Sequence, residues 1–571
     1  MEKEKKIVKL TTTLEDIDKN CNTKENVSVR FMIELMLFLL IVFSFQGCSN
    51  KNDNTEFENS IYVPVQVPDG IEIILKCWIE PISEADYYEA IDTIEIYSLN
   101  EQNYESVARI VKKAVNLHNL DIKLKNKDDV ELDYLSKMQF TNTGIHVYLY
   151  NYDGRSLNVL DKLNQIDYLQ VTSSDGVYPK KDNTVLLSNL VLPNVKQLKL
   201  EGVTIDENSG IGSLTNVKHI DMNYCEINGF GTCENLQVLE SLKIYEGNVI
   251  SLQGLEEVPN KIELDLSVDI NDENIIGQIN NMPIAKLIVS PDVKFLSKMQ
   301  NIESLSVDTF DDVPGEMMEQ IKELQNIKEL SIRCANLENY QSIQDMKQLQ
   351  ALTLNIDNQV DVTVYSGLSE LKCLDIAGQK IEDISWLTNM PNLTELDLAA
   401  TKVSDISILK DFTQLEKLDV SYTDVSDISV IKQMPELKYL GISGTKVKDI
   451  SAIKITCELM TLNASELEFF DISQLETCKQ LECLDISSSN IININNLNKL
   501  DNLRQLNLCE NDIDDISVLS ELDGLEELLI YDTKVTDLQA LEKLNNLYLV
   551  SIGGCNIKDL SPIYHVYRVN K

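Results

Sequence analysis

Three aspartates stand 22 residues apart at Asp375, Asp397 and Asp419, and Asp485 repeats the position three spacings later. Gly441, Asn463 and Asn507 fill the same place in the intervening and following units. Carboxylates carried on neighbouring parallel strands lie roughly 5 Å apart and repel one another. A cation, a basic partner or plain solvent can relieve such a ladder. Tyr422, Tyr439, Tyr531 and Tyr548 accompany it among small residues, Ala399, Ala400, Ser421, Ser443 and Gly444. Exposed tyrosines in that setting suit a recognition surface; they also suit space-filling on a sheet face. These eight residues, four aspartates and four tyrosines, form the candidate ligand-binding patch. They are arranged for binding rather than turnover. The sequence has no HExxH, GxSxG, GxxxxGK[ST] or dinucleotide-type GxGxxG, so no enzymatic activity, cofactor or metal is expected.

What must position these side chains is a repeat. Leu371, Leu393, Leu415, Leu437, Leu459, Leu481, Leu503, Leu525 and Leu547 fall 22 residues apart, and Ile327 and Leu349 continue the spacing upstream. A unit such as LTELDLAATKVSDISILKDFTQ opens on an alternating run, Leu393, Leu396 and Leu398, suited to a short strand with one buried face. A second apolar set follows, Val403, Ile406 and Leu409. One such coil cannot bury its own apolar face, so neighbours must stack around a shared core. The spacing therefore predicts an α/β leucine-rich-repeat solenoid of about 21 coils, with a parallel sheet on the concave face and short 3₁₀ or helical pieces on the convex face. The ninth position holds Asn511 or Cys225, and more often Thr401, Thr423, Thr445 or Thr533, whose side chains can satisfy turn backbone. Aspartates at 383, 405, 427, 449 and 515, each followed by Ile-Ser, and Asp537 and Asp559 before Leu, are placed to cap the convex segments.

The 22-residue length and the phrase V/I-x-D-I-S-x-L resemble the internalin-type repeats of bacterial surface proteins. The resemblance is strong over 327–571 and looser over 85–326. It implies recognition of a protein or glycan by the concave face.

Ahead of the repeats, residues 1–47 read as a leader ending in an apolar run, Leu35 to Phe45, of signal-peptide length. Phe45-Gln46-Gly47-Cys48 resembles a bacterial lipobox, which implies lipidation at Cys48 and display on the outer face of the cell membrane. An ordinary cleaved signal, an uncleaved anchor and an intracellular scaffold docking on a partner protein remain open alternatives. Residues 48–60 form a polar tether. Residues 61–90 are expected to make an N-terminal cap, from a hairpin turning at Pro68-Asp69-Gly70 and a short helix from Ser83 to Ala90. Irregular repeats occupy 91–326, with helical inserts over 105–115 and after Pro314. Regular repeats run over 327–560, and 561–571 form a C-terminal cap.

Acidic residues number 92 against 50 basic, a net charge of −42. That balance disfavours nucleic acid and anionic lipid surfaces as partners. A monomer is expected. The twelve cysteines give no disulfide or zinc pattern. Cys225 and Cys555 take the ninth position, Cys233 a core position, and Cys373 and Cys483 lie on coils roughly 24 Å apart. Cys457 and Cys478, on adjacent units, are the one pair placed to approach. His118, His146 and His219 fall at concave positions of the irregular repeats, the first two on neighbouring coils.

Overall fold

Leu393, Leu396, Leu398, Val403, Ile406, Leu409 and Phe412 are all buried within one 22-residue unit. Fully burying each such side chain is worth roughly 1.5–3 kcal/mol, and the seven converge only if the chain turns through a full coil. The computed structural model shows that coil repeated. It describes residues 71–75, 91–114, 117, 119–125, 134, 137, 144–152, 157, 160, 166–173, 192, 194–268, 270, 272–299, 301–357, 359–455, 458–468 and 472–570. The leader, the tether, Cys48, the Pro68-Asp69-Gly70 turn, the Ser83–Ala90 helix, His118 and Cys457 lie outside the described residues. Among the described residues, no helix is long and apolar enough to cross a membrane.

The strands form one sheet. Ile71–Leu75 runs antiparallel against Ile91–Ile96, and from there to Arg568–Asn570 neighbouring strands run parallel. In the first half strands are long, reaching Gly144–Tyr152 and Ser241–Ser251. From Cys373–Asp375 onward they shrink to three residues. Register is fixed by the core leucines: Leu374 pairs with Leu396, Leu396 with Leu418, Leu418 with Leu440 and Leu440 with Leu462. A slip of one residue would turn every one of them to solvent.

Two of the helices that replace a convex turn sit where the spacing stretches. The helix expected over 105–115 spans Tyr104–Lys113, and the one expected after Pro314 spans Gly315–Lys322. A third, Glu273–Asn281, is opened by Asp272, whose carboxylate accepts the Asn274 N–H at 2.7 Å. In the regular half the convex pieces are 3₁₀ turns, Ser385–Asn389, Ser407–Asp411, Ser429–Gln433 and Ser517–Glu521 among them. The Asp-Ile-Ser phrase starts each. The Asp405 carboxylate accepts the Ser407 N–H at 2.8 Å, and Asp427, Asp449 and Asp515 do the same for Ser429, Ser451 and Ser517. Those bonds hold the four carboxyls below their ordinary range.

The ninth position does the turn work expected of it. Thr401, Thr423, Thr445 and Thr533 each donate a hydroxyl to the carbonyl three residues earlier, at 2.5–2.7 Å. Asn511 reaches further. Its amide donates to Ile486 O in the preceding coil and Leu508 O in its own, and its oxygen accepts the Ser489 and Ile491 N–H groups.

At the C-terminal end the structure adds to the sequence reading. Ser561–Ile563 forms another 3₁₀ turn, and Arg568–Asn570 pairs in parallel with Leu549–Ser551. Ile563, Val566 and Val569 are buried and take over the core role of the leucines, so this segment extends the sheet by one further rung.

A feature invisible in the sequence sits at the eighth position of each regular coil. Gly378, Ala400, Tyr422, Gly444, Glu466, Ser488, Glu510, Asp532 and Gly554 all have φ between 51° and 80°. This left-handed turn lifts the chain out of the strand and, at every one of these positions but Gly554, aims the N–H at a carbonyl of the next coil: Ala400 N–H to Ser421 O at 2.8 Å, Gly444 N–H to Ser465 O at 2.9 Å. Only three of the nine are glycine, though a non-glycine residue there carries a cost of roughly 1–2 kcal/mol. Ala400→Gly is therefore expected to raise stability by up to about 1 kcal/mol, less the entropy that glycine adds to the unfolded chain. Urea unfolding of the two proteins measures it, and a loss of stability would show the turn to be unstrained.

Candidate functional site

The fifth position of each coil looks across the concave face, and Asp375, Asp397 and Asp419 are directly paired on consecutive strands. The row continues through Gly441 and Asn463 to Asp485 and Asn507. The repulsion expected between the three aspartates is met from within the fold. Each carboxylate accepts the backbone N–H two residues ahead: Ala377 at 3.1 Å, Ala399 at 3.0 Å and Ser421 at 2.8 Å. Asp485 and Asn507 repeat the bond to Ser487 and Cys509. Neighbouring rungs supply further donors. Asn355 donates to Asp375 at 3.0 Å, Tyr439 donates its hydroxyl to Asp419 at 2.9 Å, and Asn507 donates to Asp485 at 2.9 Å. The ladder is thus first a turn-closing device, and its outer oxygens remain on the surface.

Asp397 is the least compensated member. Burial pushes its carboxyl up to about 6, the Asp419 and Asp375 charges on either side add to the shift, and the Ala399 N–H opposes it. Lys417 stands 3.9 Å away and also lies over the Tyr439 ring at 5.3 Å.

Around the next rung the side chains lock together. Asn463 donates to the Tyr439 hydroxyl at 2.9 Å, which in turn donates to Asp419. Tyr422 donates to Glu466, two coils on, at 2.7 Å. Two glycines make this possible. A Cβ on Gly441 would stand 2.4 Å from the Asp419 carboxylate, and one on Gly444 would stand 2.5 Å from the Tyr422 ring. Both side chains lean across the neighbouring coil into space that any larger residue would occupy. Tyr422 nevertheless keeps 44% of its surface exposed. Asp419, Tyr422, Tyr439, Asn463 and Glu466 therefore present two aromatic groups and several carboxylate oxygens in fixed positions.

The candidate patch does not hold together as one site. Tyr531 donates to Glu510 at 3.0 Å and Tyr548 donates to Glu527, but these tyrosines lie five and six coils beyond Tyr422, roughly 24–29 Å away by strand spacing. Asp485 belongs to neither group. It bonds Ser487 and Asn507 midway between them. Glu466, Asn463 and Lys417 were not among the candidates. The one sequence signal for this rung was a pair of glycines, Gly441 and Gly444, three residues apart in a single unit.

In the irregular half, His146 bridges two carboxylates, with Nδ1 at 2.9 Å from Asp121 and Nε2 at 3.5 Å from Asp167 on the following coil. The hydrogen bond to Asp121 raises its pKa against the opposing effect of burial. Lys123, Tyr148 and Tyr168 complete its surroundings, Tyr168 edge-on at 5.8 Å and Tyr148 against Tyr168 at 5.1 Å. His219 is separate and bonds Ser241 at 2.9 Å. Cys225 and Cys555 lie too far apart along the coil stack to meet; each thiol donates to a carbonyl of the preceding coil, Leu200 O and Ile530 O, and Cys225 also to Asn223 O in its own.

Two titrations follow from these environments. Asp397 is disfavoured when ionised, so its cost is present above about pH 6 and is relieved as pH falls towards the ordinary carboxyl value. Asp397→Asn keeps an acceptor for the Ala399 N–H, as Asn507 does for Cys509. It should stabilise the protein at pH 7 by roughly 1–2 kcal/mol, with the gain fading below about pH 4; a gain equal at both pH values would discredit the burial argument. His146 behaves oppositely. Its raised pKa gives stability that is complete below about pH 6.5 and is lost as pH rises through the folded-state value. Unfolding midpoints of wild type and His146→Gln should diverge on acidification and converge as pH rises past the folded-state value, and NMR titration of the His146 ring reports the shift directly.

Residues 369–411 match the family described as Leucine Rich repeats (2 copies). Comparison with curated proteins gives no match. Among solved structures, an internalin (inlF) of Listeria monocytogenes is 18% identical, with 66% of this chain and 85% of that one covered and a TM-score of 0.34. A leucine-rich-repeat protein of Leptospira interrogans is 16% identical over 74% of this chain and 94% of that one, with a TM-score of 0.36. TLR13 in its complex with ssRNA13 is 16% identical over 83% and 80%, with a TM-score of 0.43. The matched coils, repeated at the same spacing from Leu371 to Leu547 and stacked apolar residue on apolar residue, give this chain a leucine-rich-repeat solenoid fold.

Proposed function

We propose that the chain is a non-catalytic binding protein that grips a protein ligand on its concave face, centred on Asp419, Tyr422, Tyr439, Asn463 and Glu466. The observation that carries this reading is the pair of glycines under Asp419 and Tyr422. Their missing side chains let an aromatic ring and a carboxylate lean outward while hydrogen bonds fix both. A surface ordered before binding loses little rotamer freedom when covered, and tyrosines of this kind dominate protein interfaces. The acidic row beside it favours a ligand with basic side chains. The leader and the Gly47-Cys48 pair support display outside the cell on an N-terminal lipid anchor at Cys48, with the protein acting as a monomer.

Two measurements test the reading. A photo-crosslinking amino acid placed at Tyr422 should give a discrete protein adduct in cells of the source organism. The same group at Ile492, 67% exposed and outside the sheet, should give none. Equal labelling at both positions would refute the concave site. Intact mass of membrane-fractionated protein should show a chain beginning at a diacylated Cys48, abolished by Cys48→Ala. A full-length chain in the cytosol would instead favour an intracellular scaffold.

A further inference from the structure

The sheet is stitched unevenly along its length. Strands Ile284–Val289 and Ser304–Asp308 are neighbours, yet only Leu287 with Leu305 and Ile288 with Ser306 pair between them. On its other side Ser304–Asp308 pairs throughout with Glu329–Arg333. That junction is also sewn by backbone bonds outside the strands: Lys328 N–H to Glu303 O at 2.7 Å, Thr309 N–H to Arg333 O at 2.9 Å, Val313 N–H to Asn336 O at 2.8 Å. Among the described residues no such bond joins 284–299 to 301–326. Pro291 accounts for part of the gap. Counted from the paired leucines, it takes the place of Thr309 and Gly378, whose N–H groups go to Arg333 O and Ala399 O of the following coil. Proline has no N–H to give. The convex side is mismatched as well, a three-residue 3₁₀ turn, Leu296–Lys298, lying against the eight-residue helix Gly315–Lys322. Where the ladder parts, the concave face sinks into a cavity of about 680 Å³, with Lys286, Ile288 and Pro291 on one side and Ser306, Asp308 and Thr309 on the other. One side chain spans the junction. Gln320, on the helix, accepts the Leu296 N–H at 3.1 Å and donates to Val293 O at 3.0 Å, standing in for the backbone bonds that are missing.

We propose that this junction is a hinge latched by Gln320, about which the coils before Val289 and those after Ser304 swing as two stiff arcs. A fold opens first where the fewest bonds must break, and a hinge absorbs its motion at a few element-terminal residues. Leu287, Phe295, Leu296, Leu305 and Val307 stay buried across the junction, so the arcs remain joined through the core while the polar stitching gives way. Swinging changes the curvature of the concave face between the irregular coils and the patch around Tyr422, and leaves the patch itself intact. Gln278 supplies the contrast. It clasps the preceding coil in the same manner, accepting the Leu252 N–H at 2.7 Å and donating to Ser251 Oγ at 3.2 Å. There, however, Ser241–Tyr245 and Glu263–Ser267 are paired without a break, and the clasp is not the main tie.

Hydrogen–deuterium exchange read by mass spectrometry on the full chain, with small-angle X-ray scattering of the same samples, tests the hinge. Amides in 284–308 should exchange faster than those in 329–356. Gln320→Ala should speed exchange over 284–308 roughly tenfold, leave 329–356 unchanged and alter the scattering curve. Gln278→Ala should do neither at 284–308 nor in the scattering. Pro291→Thr, which places at this position the residue that Thr309 supplies one coil later, restores a donor and should slow exchange over 284–308. Equal exchange in the two segments of the wild type, a rise spread evenly over the chain in Gln320→Ala, unchanged scattering in that variant, or no slowing in Pro291→Thr would each overturn the inference.

Discussion

Among the described coils, none satisfies all of its peptide groups from within itself. At each turn the backbone hands its N–H to a carbonyl of the neighbouring coil, as Gly378 does to Ala399, Ala400 to Ser421 and Tyr422 to Ser443. The core follows the same rule, leucine stacked on leucine with little left exposed. Unpaired backbone and unshared apolar surface are both costly, so register is not negotiable. Once register is fixed, any residue type that recurs at one position becomes a row along the solenoid.

That constraint makes the aspartate row intelligible. The fifth position must close a turn by accepting an N–H two residues on, and Asp and Asn both do so. Their remaining oxygens then face outward in a file that the fold did not need for itself. Near Gly441 and Gly444 the file becomes a built surface, because two missing side chains let Asp419 and Tyr422 settle across a neighbour and be held there by Tyr439 and Glu466. Preorganisation of this sort arises from what is absent on one coil as much as from what is present on the next.

How much was legible follows from the same logic. The coil, its buried positions and the Asp-Ile-Ser turns could be read from sequence, because each is set by a spacing that repeats without interruption from Ile327. The helix at Glu273–Asn281 was not, since Ile275, Ile276 and Ile279 lie in a stretch where apolar spacing serves a coil equally well. The final strand was hidden because Val566 and Val569 replace leucine. The site was half legible. Residue types at 375, 397, 419, 422 and 439 pointed to a surface, but hydrogen bonds across 20 or more residues to Asn463 and Glu466 have no local trace. Nor could the spacing show that Tyr531 and Tyr548 form a separate group, because solenoid neighbours are close only when their coils are adjacent.

The left-handed column at the eighth position has a wider meaning. Its backbone shape is the same whether the residue is glycine, alanine, tyrosine, glutamate, serine or aspartate. The scaffold therefore offers a series of sockets that accept different contents at a small local conformational cost, except where a neighbour leans over a glycine, as Tyr422 does over Gly444. Specificity in such a molecule can drift by single substitutions along the column while foldability is guarded elsewhere, by the leucines.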